Sequence, residues 1–116
     1  MGPKLLTLNA NGTTVRYFRS DDGSPYLCGH DVVVATGLGD KLNPTNIRRR
    51  VGDGATLRID RRDHPGTFGS RGRPDVMFFR FDALQQWARD VPDGPADRLM
   101  RGLQLVHFRP FEPVTD

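Results

Sequence analysis

The sequence predicts an α+β fold, a small antiparallel sheet with helices packed on it. Three observations carry that expectation. The first thirty residues hold short apolar or alternating runs separated by turn residues, LLTLNA, TTVRYFRS and PYLCG. Two later stretches, 81–91 and 96–108, repeat apolar residues at helical spacing. The first strands are joined by hairpin-type turns rather than by crossover helices, which points away from a parallel βαβ sheet.

Each element follows from local chemistry. In TTVRYFRS, Val15 and Tyr17 alternate with Arg16 and Phe18, the period of a strand with two distinct faces. Asn9, Asn11 and Gly12 supply the turn before it, and SDDGSP (20–25) the turn after it. HDVVVATGLGD (30–40) suits a short helix with Val33, Val34, Ala35 and Leu38 as its apolar positions, Asp31 as N-cap and Gly37 or Gly39 as its stop. NPTNIRRRV (43–51) reads as a second short helix, with Asn43 as cap and Pro44 at the first helical position. ATLRID (55–60) alternates as a strand. RRDHPGTFGSRGRP (61–74) has no periodicity and reads as an exposed loop. DVMFFRF (75–81) is a strand rich in aromatic residues. In FDALQQWARDV (81–91), Leu84, Trp87, Ala88 and Val91 form one face of a helix, and Asp82 suits its positive end. ADRLMRGLQLVHF (96–108) gives a last helix with Leu99, Met100, Leu103 and Val106 on one side. Residues 1–110 are read as a single domain and 111–116 as a short tail.

The chain has 116 residues, enough for one domain with a modest core. No apolar run approaches the roughly 20 residues a membrane helix needs, and the N-terminus lacks the pattern of a secretory signal. The single cysteine, Cys28, excludes an internal disulfide, so the expected compartment is a reducing cytoplasm. Net charge is +3, unevenly spread. Residues 1–46 hold four bases and four acids; residues 47–74 hold eight arginines against Asp53, Asp60 and Asp63; residues 75–116 hold five arginines against seven acids. Concentrated positive charge in the middle of the chain is the electrostatic footprint of a polyanion binder. Fifteen arginines against two lysines also fit a compositional bias, but that would not keep acids out of residues 64–74.

The residues expected to contact DNA are therefore Arg48, Arg49, Arg50, Arg58, Arg61, Arg62, His64, Arg71 and Arg73. Arginine presents a planar fork of donors that suits phosphate and the guanine edge. Arg48 to Arg50 are consecutive, so on a helix they point about 100° apart and at most two share a face. Arg58 sits on the expected strand, Arg61 and Arg62 at its end, and Arg71 and Arg73 in the glycine-rich loop. Other chemistries find little support. The pairs His30-Asp31 and Asp63-His64 have no metal-ligand spacing. Ser20, Ser24 and Ser70 lie in turns without a nucleophile-elbow context, and Cys28 reads as a small buried hydrophobe. Asp21-Asp22 is a turn rather than an acid–base pair, and no phosphate-cradling glycine motif is present. Trp87, Phe78, Phe79 and Phe81 read as core. No enzyme activity, metal or cofactor is expected.

Several of these residues, in this order, resemble the N-terminal domain of the BRO family (Bro-N), found in phage antirepressor-like and large DNA virus proteins. The likeness lies in DGSPYLCGHDVVVATGLGD, with Gly23, Pro25, Tyr26, Asp31 and Gly37-Leu38; in Ile47 to Val51; in Phe79 to Leu84; and in Pro95-Ala96 through Leu103. It spans roughly residues 4–106. Where the last helix of the family usually carries a Trp-Val pair, this chain has Leu103-Gln104. The resemblance implies DNA binding or interference with a transcriptional regulator, and no catalytic site. The expected function is thus a small phage-type protein binding duplex DNA and modulating transcription. The alternative is a protein-interaction module that inhibits a host or phage regulator without binding DNA. A homodimer would pair two basic surfaces over two half-sites.

Overall fold

The computed structural model describes residues 4–10, 12–37, 43–64, 66, 75–91 and 94–106. Five strands, β1 (Leu6–Ala10), β2 (Thr13–Arg19), β3 (Pro25–Cys28), β4 (Thr56–Asp60) and β5 (Asp75–Arg80), form one antiparallel sheet in the order β1-β2-β3-β5-β4. The described helices are α1 (Gly29–Thr36), α2 (Pro44–Val51), α3 (Phe81–Asp90) and α4 (Pro95–Val106). The fold is α+β, and the element order is the one expected from the sequence.

The sheet separates two apolar clusters because side chains alternate along each strand. Leu8, Ala10, Val15, Leu27 and Phe79 point to one side and meet all four helices through Val32, Ile47, Leu84, Trp87, Leu99 and Met100. Fully burying side chains of this size stabilises by about 1.5–3 kcal/mol each. Phe18, Tyr26, Cys28, Ile59 and Phe78 form the second cluster on the opposite face. There the Phe18 and Tyr26 rings stack 5.4 Å apart at an interplanar angle of 5°.

Turn chemistry sets the register of the first three strands. Gly12 adopts a positive φ of 77°, and its N–H donates to Asn9 Oδ1. In the second turn Asp22 Oδ1 accepts from the Ser24 N–H and from the Ser20 hydroxyl. These bonds hold the Asp22 carboxyl down at about 2. Two strands pass into helices without a linker: β3 into α1 at Gly29, and β5 into α3 at Phe81. Because β3 and β5 are antiparallel neighbours, these helices leave from opposite ends of the sheet. Gly29 sits where a Cβ would press into the Phe79 ring and stand 3.3 Å from the Pro44 side chain. Only glycine lets α1 start so close to the sheet.

Some local expectations are corrected. Asp31 does not cap α1; the N-cap position belongs to Cys28, which makes no side-chain cap bond, and Asp31 lies inside the first turn. There the buried Asp31 carboxylate accepts from the Arg16 backbone N–H (2.9 Å), Nε (2.7 Å) and Nη2 (2.7 Å). Arg16 stands next in register beyond Phe18↔Tyr26 and Tyr17↔Leu27, where β3 turns into α1. The carboxylate thus takes the place of a ladder acceptor that β3 no longer supplies. Val34 is 48% exposed, whereas Val32 is fully buried, so the inner face of α1 is rotated from the one expected. Leu38 and Gly39 lie outside the described residues; Gly37, with φ 72°, ends α1. Asn43 caps α2 as expected, accepting from the Asn46 N–H at 2.9 Å, with Pro44 in the first turn. Residues 61–63, expected within a loop, form a 3-10 turn. Val106 ends α4, and residues 107 and 108 of the expected last helix lie outside the described residues.

Candidate nucleic-acid interface

The described arginines of the middle segment are spread over α2, β4 and the turn that follows it. That strand lies outermost beside β5, follows α2 through a 3-10 turn (Asp53–Ala55), and ends in the turn Arg61–Asp63. A strand of five residues spans about 17 Å. Arg48, Arg49 and Arg50 occupy the last turn of α2, which leads toward the start of β4, and Arg61 and Arg62 follow its end. Arg58 stands between, opposite Met77, which packs against the helix-side cluster; Arg58 therefore shares the helix-bearing face.

The six described arginines of this group are not equivalent. Arg48 Nη1 lies 3.0 Å from Asp53 Oδ1, and Arg50 Nη2 lies 3.1 Å from Asp90 Oδ2 on α3. Arg62 binds Asp60 through two side-chain bonds of 3.1 and 2.8 Å, while Asp60 Oδ1 also accepts the Arg62 backbone N–H. This triple contact, with Asp60 as cap of the turn, lowers the Asp60 carboxyl to about 2 and raises Arg62. Arg62 therefore serves to hold the turn after β4. Arg48 to Arg50 also sit at the negative end of the α2 dipole, where cations stabilise a helix regardless of any partner. Arg49 and Arg58 are exposed, and among the described residues neither has an acidic partner. Arg61 is half-buried and lines a cleft with Asp75. His64 is half-buried, and its backbone N–H donates to the Arg61 carbonyl. Arg71 and Arg73 lie outside the described residues.

The six described arginines thus lie on consecutive elements, α2, β4 and the turn after it, and three of them, Arg48, Arg50 and Arg62, are ion-paired. Asp60 and Asp53 were visible in the sequence as neighbours. Asp90, which meets Arg50 from forty residues away, was not. The aromatic residues Phe78, Phe79, Phe81 and Trp87 are all buried, which removes them as platforms for stacked bases. Cys28 is fully buried, and desolvation, followed by the nearby Asp31 charge, pushes its thiol up to about 11, far from the reactive range. Among the described residues no group of His, Cys, Asp or Glu could hold a metal ion, and no helix is long and apolar enough to cross a membrane. Compared with protein-family models, with curated proteins and with solved structures, the chain gives no match.

Proposed function

We propose that the chain is a DNA-binding regulatory module of the Bro-N type, docking duplex DNA along the β4 edge and acting on transcription in the manner of an antirepressor. The observation that carries this reading is the pair Arg49 and Arg58, exposed and unmatched by described acids, on the successive elements α2 and β4 of a segment dense in arginine. The β-β-β-α-α-β-β-α-α order is the one the resemblance leads one to expect, and supports it further. Arg48 and Arg50 reinforce the surface because exposed ion pairs contribute only about 0–1 kcal/mol each and exchange readily for phosphate. An edge of about 17 Å matches about five base pairs of duplex at about 3.4 Å each.

Fluorescence anisotropy with a labelled random duplex tests the reading. Binding should be detectable below about 10 μM protein at low salt and fall with added salt. If Arg49, Arg58 and one flanking arginine meet phosphate, the slope of log K against log salt is about −2.7; six phosphate contacts would give about −5.4. No binding at about 10 μM in low salt overturns the proposal. A second reading rests on a different observation: among the described residues β4 is the outermost strand of the sheet and its Leu57 is 41% exposed, a surface suited to pairing with an extended segment of an acidic regulatory protein.

A further inference from the structure

Strand β1 forms the edge of the sheet opposite β4, and among the described residues no strand lies on its outer side. The two edges differ in chemistry. β4 carries Arg58 and Asp60, and charges on an edge strand discourage pairing with another chain. β1 reads Leu6-Thr7-Leu8-Asn9-Ala10, with neither a charge nor a proline, and it pairs with β2 in unbroken register. We propose that β1 is a self-association surface, where the β1 strand of a second copy of this chain pairs antiparallel and joins two sheets into one.

The hydrogen bonds of β2 fix which backbone groups of β1 face outward. The Arg16 N–H donates to Asp31 Oδ2, on the β3 side of β2, and so does not point at β1. Arg16 stands opposite Thr7, which makes Thr7↔Arg16 a pair without mutual backbone bonds. Bonded and non-bonded pairs alternate in an antiparallel ladder, so Asn9↔Thr14 is of the same kind. The N–H and C=O groups of Thr7 and Asn9 therefore point away from β2, and both residues are exposed. A two-fold axis at Leu8 gives the one antiparallel register that overlaps every residue of both strands. It sets Thr7 opposite Asn9 of the second copy, and Asn9 opposite Thr7, so that each pair exchanges both of its outward backbone hydrogen bonds. The same register sets Leu8 against Leu8 and Leu6 against Ala10 on the helix-bearing face. There Leu8 and Ala10 already belong to the core, and Leu6 is only half-buried. Polar residues meet polar ones on one face and apolar meet apolar on the other, with no charge in the paired segment. A second copy satisfies that alternation by symmetry, since an isologous contact uses one patch twice. Because β4 lies at the far edge, the pairing leaves it uncovered and does not rest on the DNA-binding reading.

Sedimentation equilibrium of the full chain tests the inference. Dimer should accumulate as concentration rises to about 1 mM, a range in which even a small edge-strand contact populates a complex. Amide hydrogen exchange in the same samples should slow at Thr7 and Asn9 as the dimer forms, while the β4 amides keep their rates. Thr7→Lys/Asn9→Lys places like charges opposite each other in both cross-strand pairs and should weaken the dimer at least about tenfold; Thr7→Glu/Asn9→Glu should do the same. Both positions are exposed, so each variant should keep the circular dichroism of the parent chain. Mixing the two variants sets lysine opposite glutamate and should restore association as a heterodimer. If either variant does not fold, the exchange pattern of the unaltered chain decides the matter. The inference is overturned if that chain stays monomeric up to about 1 mM, if the lysine variant dimerises as tightly as it does, or if the mixed variants stay apart. A dimer whose slowed amides fall on β4 rather than at Thr7 and Asn9 also overturns it, for the copies then meet at the other edge.

Discussion

Replacing Asp31 with alanine removes the acceptor of three hydrogen bonds at once. Two come from the Arg16 guanidinium and one from the Arg16 backbone N–H. Asp31 is 6% exposed, and the Arg16 side chain 20%. Breaking one partner of a buried ion pair destabilises by about 3–5 kcal/mol, because the surviving charge is left without compensation. Arg16 keeps some access to water, which places the loss near the lower end, about 3 kcal/mol. Total stabilities of small domains are about 5–15 kcal/mol, so the variant should remain folded but visibly weakened. Urea denaturation followed by the Trp87 signal measures it. With a slope of about 1.5 kcal/mol/M, the midpoint should fall by about 2 M. Asp31→Asn keeps one oxygen acceptor and should lose less. In a double-mutant cycle with Arg16→Ala the two changes should be non-additive by about 1–3 kcal/mol. A loss below about 1 kcal/mol for Asp31→Ala, or additivity in the cycle, would refute the idea that this carboxylate takes over from β3 where the strand leaves the sheet.

Other perturbations probe other parts of the fold. Gly29→Ala should destabilise by about 1–3 kcal/mol by overpacking, since its Cβ would press into the fully buried Phe79 ring; a neutral result in the same urea assay would mean α1 shifts freely. Cys28 should resist thiol reagents at pH 8 in the native state and react on unfolding. Its folded pKa of about 11 lies above the ordinary 9.0, so its contribution to stability is complete below pH 9 and lost as pH rises toward 11. Cys28→Ala should therefore show a shallower alkaline decline, and an unchanged slope in pH-dependent denaturation would contradict this. For duplex binding, Arg49→Glu and Arg58→Glu should each weaken affinity more than Arg62→Glu, because Arg62 is engaged by Asp60; anisotropy ranks the three, and the reverse order would move the interface. Acrylamide should quench Trp87 poorly, in the presence or absence of DNA, as its ring is buried between sheet and helices.

The amino-acid sequence by itself determined much of the architecture. Period-2 alternation in β2, glycine and aspartate in the first turns, Asn43-Pro44 at the head of α2 and the Leu84/Trp87/Ala88 stripe of α3 are local signals, each enforced by backbone sterics or by one buried face. They were legible because the residues that decide them lie within a few positions of one another. The inner face of α1 was not, since three consecutive valines carry no periodicity and only packing on Val15, Leu27 and Phe79 selects Val32 over Val34. Asp31 looked like a cap because its partner, Arg16, lies fifteen residues back. The same limit applies to charge. Sequence showed a cluster of arginines, and net charge is a property sequence carries fully. Which of those arginines keeps its charge available depends on where the aspartates fall in space. Asp90 reaches Arg50 across α2 and α3, and Asp60 folds Arg62 back on its own turn. Electrostatic compensation acts over a few ångströms of space and not over positions in a chain, so only the tertiary structure could single out Arg49 and Arg58.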